Sequence, residues 1–81
     1  MKDLVEYLAK SLVEHPDQVQ VTQREDEDAV IIELRVMAED MGKVIGKQGR
    51  IAKSIRTLVK ASAGQEERKK IAVDIMSLDE E

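Results

Sequence analysis

Val44-Ile45-Gly46-Lys47-Gln48-Gly49-Arg50-Ile51-Ala52-Lys53-Ser54-Ile55 is the stretch that decides how this chain folds. Its two glycines bracket Lys47 and Gln48, and apolar residues at helical spacing flank them on both sides. From Met41 to Gln65 the basic residues Lys43, Lys47, Arg50, Lys53, Arg56 and Lys60 stand with no carboxylate among them. The whole chain is acidic, with formal net charge −4 and a pI near 5.0. A low pI counts against nucleic-acid binding on composition alone. Screening over about 8–10 Å makes a bound strand respond mainly to its near neighbours, so the local basic cluster outweighs the total.

The glycine pair separates two predicted helices. A short one runs from about Asp40 to Ile45, and a longer one from about Arg50 to Ala63, stopped by Gly64. At 100° per residue the longer helix divides into two arcs. Ile51, Ile55, Leu58, Val59 and Ser62 form an apolar arc for burial, while Arg50, Lys53, Arg56 and Lys60 form a basic one. A phosphate near Gly46–Gly49 would meet unpaired helix N–H groups, the positive end of a helix dipole and backbone free of Cβ atoms. Lys47 and Arg50 would add formal charge there.

Working outward, Leu4, Val5, Leu8, Ala9, Leu12 and Val13 recur at helical spacing. They predict a helix from about Asp3 to Glu14, with Asp3 as its cap, Glu6 in the capping-box position and Pro16 ending it. Gln18 to Arg24 alternates as a half-buried strand, with Val19 and Val21 on the inner side. Glu25-Asp26-Glu27-Asp28 reads as a polar turn. Ala29 to Val36 reads as a second strand with Val30, Ile32, Leu34 and Val36 inward and Glu33 and Arg35 outward. Lys70 to Met76 alternates through Ile71, Val73 and Ile75 as a third. The expected fold is α+β, in the order α-β-β-α-α-β, with helices packed on one face of a three-stranded sheet. One domain fills residues 1–81, with a core of about 3–76 and an acidic, frayed tail at 77–81.

Eighty-one residues bury only about 60% of the unfolded surface, which predicts modest stability. With no cysteine, disulfides and thiolate metal sites are excluded. Carboxylates flank the apolar pair near the start, unlike a signal peptide, and Ala29–Ile32 is too short to cross a bilayer. A soluble, cytoplasmic protein is expected. Tyr7 is the lone aromatic, so base binding would proceed without aromatic stacking.

The quoted stretch resembles the signature of a KH domain, in which a GxxG loop joins two helices. The helix-first order resembles the type II arrangement, and the single domain is similar to the KhpA family of small bacterial RNA-binding proteins. The resemblance covers about Asp3 to Met76. It implies that the loop clamps the backbone of about four unpaired nucleotides while the bases lie in an aliphatic groove. Carried over, Gly46, Lys47, Gln48 and Gly49 become the clamp, Ile45 a groove wall, and Arg50 and Lys53 phosphate partners, with Lys43 and Arg56 extending the RNA-binding surface. Ala52 stands where the common KH pattern has a larger aliphatic residue. The resemblance further implies an RNA chaperone or post-transcriptional regulator, working with a second KH-containing protein of the KhpB type, in cell-wall homeostasis and cell shape. Homodimerisation is expected on the separate ground that a lone domain of this size often gains function that way.

Other readings are weaker. Gly42-Lys43-Val44-Ile45-Gly46-Lys47-Gln48 has one residue too few between its glycines for a nucleotide-binding P-loop, and Gln48 replaces the required Ser or Thr. His15 beside Pro16 suits a structural role. Glu25–Asp28 suits a solvated turn better than a metal site. Ser11, Ser54 and Ser62 lack a partner base, and Met37, Met41 and Met76 read as core filler. No enzymatic constellation, cofactor or metal is expected. Single-stranded DNA is an alternative ligand, because a clamp of this kind reads phosphate more than sugar. The competing reading is a protein-interaction subunit whose basic helix docks an acidic partner.

Overall fold

A computed structural model describes residues 1–64 and 68–79. Helix α1 spans Lys2–Leu12, strand β1 Gln20–Glu25 and strand β2 Ala29–Val36. Helix α2 follows at Met41–Ile45, then helix α3 at Arg50–Ala63 and strand β3 at Lys70–Ser77. The predicted order is therefore the observed one. Strand β2 is central: β1 pairs with it antiparallel through a tight turn, and β3 pairs with it parallel. A parallel neighbour requires a crossover, and α2, the glycine loop and α3 supply it.

The alternation in β2 is complete. Val30, Ile32, Leu34 and Val36 are fully buried, while Ile31, Glu33 and Arg35 on the opposite face are half-buried. Val73 lies opposite Ile32 in the parallel register and joins the same core. Val5 and Ala9 of α1, Val44 of α2, and Ile55 and Val59 of α3 close it from one side of the sheet. Each fully buried aliphatic side chain stabilises the fold by about 1.5–3 kcal/mol. The turn between β1 and β2 is built by Asp26, whose Oδ1 accepts the backbone N–H groups of Asp28 and Ala29 at 2.7 and 2.8 Å.

Several boundaries differ from expectation. Helix α1 ends at Leu12, not Glu14, because the N–H groups of Glu14 and His15 turn instead to the buried carboxylate of Asp40. Its N-cap is Met1, and no side chain caps it; Asp3 lies in the first turn, where its charge complements the helix dipole. Pro16–Gln18 form a 3-10 turn with Pro at its start, which delays β1 to Gln20. The third strand runs on to Ser77, which is buried, and Leu78 donates its N–H to the carbonyl of Val36. Asp79 accepts the Ser77 hydroxyl, so the chain is tied at least that far; the last two tail residues lie outside the described ones.

The buried stripe of α3 is rotated from the predicted arc. Ala52, Ile55 and Val59 are buried, whereas Leu58 is 48% exposed and Ser62 is exposed as well. Ala52 faces the core and its small side chain takes up little of the space between helix and sheet. Of the three methionines read as filler, Met41 packs against the core, while Met37 and Met76 are half-buried outside it.

Candidate nucleic-acid interface

The glycine loop is a single 3-10 turn, Lys47–Gly49, wedged between α2 and α3. Three of the four residues Gly46–Gly49 have unusual backbone conformations. Gly46 has φ 76° and ψ 178°, a region open essentially to glycine alone. Gln48 has φ 58° and ψ 24°, the left-handed region that a residue with a Cβ rarely adopts. Gly49 follows at φ 75°, ψ 15°. Strain of this sort is held by the packing around it and gathers at binding sites.

The two glycines do different work. A Cβ at Gly46 would lie 2.6 Å from Ile51 Cγ1 and 2.9 Å from its Cδ1, so the position is closed by the first turn of α3. A Cβ at Gly49 would meet nothing within 4 Å. Gly46 thus lets the loop fold back onto α3. Gly49 keeps the outer surface of the turn low. Lys47 and Gln48 between them are exposed, and no side chain caps the start of α3.

The cations named from sequence fall into two groups. Lys47, Arg50 and Lys53 are exposed beside the turn. Arg50 reaches Gln48 Oε1 at a long 3.5 Å. Arg56 is more committed: its Nε donates to the backbone carbonyl of Val73 at 3.2 Å, bridging α3 to β3. Lys43 turns toward the end of α1 and lies 3.8 Å from Glu14 Oε1, in a loose and exposed pair. The structure therefore gathers the loop with Lys47, Arg50 and Lys53, and sets Lys43 to one side.

The aliphatic lining comes from more than Ile45. Ile45 and Ile51 are half-buried against the core, and so are Ile71 and Ile75 on β3. Among the described residues β3 has β2 as its one strand neighbour, and it contacts α2 and α3 as well. Ile71 and Ile75 were legible as strand residues, but their position on an edge is a tertiary fact. Glu14, His15 and Asp40 come within 4.8 Å of one another, yet both oxygens of Asp40 are taken by backbone N–H groups and His15 Nε2 lies 2.8 Å from Glu39. They form a brace between elements.

A profile of the family described as KhpA/KhpB, KH domain, matches residues 2–75. The chain belongs to the KhpA/KhpB KH-domain family. Members of it include the RNA-binding protein KhpA of Clostridium acetobutylicum, 58% identical over 94% of this chain and 100% of the relative. KhpA of Clostridium perfringens is 59% identical over the same shares, and KhpA of Aquifex aeolicus 49% over 94% of this chain and 95% of the relative. These relatives are RNA-binding proteins. The fold also resembles part of Aquifex aeolicus Era bound to GDP and AlF4−, with TM-score 0.62 and 17% identity. Era in complex with a 16S ribosomal RNA segment gives TM-score 0.55 and 18% identity. The chain matches 30% and 29% of those Era chains, and at such identity the likeness concerns the fold alone. No helix among the described residues is long and apolar enough to cross a membrane.

Proposed function

We propose that this protein binds single-stranded RNA without catalysis, holding the backbone at Gly46–Gly49 and the bases in the aliphatic channel beside β3. The observation that carries the reading is an exposed, strained turn whose outer glycine faces open space, ringed by Lys47, Arg50 and Lys53. Gly49 and the exposed backbone near it admit a phosphate; the three cations neutralise it. Ile45 and Ile75 offer apolar walls to bases in a chain almost without aromatic residues. Arg56 contributes chiefly by holding α3 to β3 and thus setting the width of that channel.

Two to four phosphate contacts give a salt slope of roughly −1.5 to −3, at about 0.7 log unit per contact for a single strand. Affinity in the micromolar range follows from so small a groove. The direct test is titration of short single-stranded RNA against the parent and a Lys47→Asp/Gln48→Asp variant, in which two carboxylates repel the backbone. Parallel titration with DNA of the same sequence tests whether the 2′-hydroxyl matters. Kinship with KhpA supports a role as an RNA chaperone or post-transcriptional regulator of cell-wall homeostasis and cell shape, in the cytoplasm.

Part of the same basic surface also favours a protein partner, which would compete with RNA at Arg50 and Lys53. The face of α3 opposite the core carries Leu58, 48% exposed, on an open depression lined also by Arg50, Lys53, Ser54 and Thr57. We propose that a second copy of this chain covers Leu58. Leu58→Glu is expected to shift the purified protein to monomer size on gel filtration; an unchanged elution volume for parent and variant refutes it.

A further inference from the structure

The clamp accounts for one end of α3, but a basic surface reaches the other. Among the described residues, Lys60, Lys69, Lys70 and Ile71 line a hollow of about 460 Å³. Lys60 belongs to the last turns of α3, and Lys70 and Ile71 open β3. Arg56 meets Val73 partway along both elements, so α3 and the edge of β3 run antiparallel and side by side. The loop lies at one end of that shared edge and the lysine hollow at the other. Lys53 and Arg56 stand between them.

We infer that a single strand clamped at Gly46–Gly49 continues along the α3–β3 edge and delivers a further phosphate to the hollow formed by Lys60, Lys69 and Lys70. This rests on the RNA-binding reading proposed above and extends its footprint. Arg50 and Lys60 are separated by about 15 Å at 1.5 Å rise per residue. Bases splayed out of the stack space the backbone at least as widely as the ~3.4 Å per nucleotide of a duplex strand, so that distance takes at most about four more steps. An RNA of four nucleotides thus fills the clamp and stops short, whereas one of eight reaches the hollow. Lys69 pairs with Glu25 at 2.7 Å, which orients its ammonium, so Lys60 and Lys70 are the cations the inference relies on. Lys60 and Lys70 are exposed, and neither supports the core.

The test uses the full chain with mixed-sequence RNA of four and of eight nucleotides, titrated across a range of salt. Lys60→Gln/Lys70→Gln is expected to weaken the eight-nucleotide complex three- to tenfold and flatten its salt slope by about 0.7 per lost contact, leaving the shorter RNA within twofold. Its thermal midpoint is expected to match the parent's. Equal losses for both lengths, or no loss for the longer, overturn the extension. The Lys47→Asp/Gln48→Asp variant separates the two ideas. If it loses both RNAs while the lysine variant binds normally, the extension alone is wrong. If it keeps binding both, the clamp itself is wrong.

Discussion

The buried carboxylate of Asp40 accepts the backbone N–H of His15 across 25 residues of sequence, at 3.1 Å. Its other oxygen takes the N–H of Glu14 at the same distance. Asp40 immediately precedes α2, a helix of five residues that leads straight into the glycine turn. So short a helix is set in place by its tertiary contacts more than by its own hydrogen bonds. The brace fixes one end of it to the end of α1, and Val44 anchors the middle in the core.

Removing that brace leaves two backbone donors without their charged acceptor. Hydrogen bonds to charged groups contribute about 1.5–3 kcal/mol each. Asp40→Ala is expected to destabilise the protein by about 3–5 kcal/mol, enough to bring so small a domain near unfolding. Asp40→Asn, which keeps an acceptor for one donor, is expected to lose about half as much. Urea denaturation of the three proteins measures both shifts.

Gly46 and Gly49 are expected to respond unequally to the same substitution. Gly46→Ala combines a glycine-only conformation with a Cβ 2.6 Å from Ile51 and should lose about 3–5 kcal/mol. Gly49→Ala brings left-handed strain alone, about 1–2 kcal/mol. Thermal melts followed by circular dichroism give the ranking, and equal losses would contradict the geometry.

The β1–β2 turn predicts an acid-side loss of stability. The backbone N–H groups of Asp28 and Ala29, which Asp26 accepts, hold its carboxyl below the usual value, with smaller help from Lys69 and Arg24. A carboxyl lowered in the folded state adds stability that is present above its unfolded value. That stability fades as pH falls through the ordinary carboxylate range toward the lower folded value. Asp26→Asn keeps a neutral acceptor but no charge. Its deficit relative to the parent is therefore expected at pH 7 and to shrink by pH 3. Urea midpoints at the two values check this, and a deficit that grows on acidification contradicts it.

Much of this fold was legible because local and long-range preferences agree. Val30, Ile32, Leu34 and Val36 alternate without a break, and both β2 and α3 fall where periodicity places them. The departures trace to contacts that no local pattern carries. The end of α1 is decided by Asp40, a residue of another element, and the rotation of α3 by which face meets the sheet. For the site, the glycines and their cations were readable, while the edge position of Ile71 and Ile75 and the Arg56 bridge to Val73 depend on the parallel crossover. Arg68-Lys69-Lys70 is conspicuous in sequence, but only the return of β3 beside α3 brings its lysines to Lys60.

The most direct measurement of the central claim is the equilibrium affinity of single-stranded RNA for the parent and for Lys47→Asp/Gln48→Asp, at matched salt and with folding verified by circular dichroism. A turn that grips the backbone predicts at least a tenfold weakening in the variant, together with a parental salt slope of roughly −1.5 to −3. A folded variant that binds RNA as tightly as the parent would contradict it.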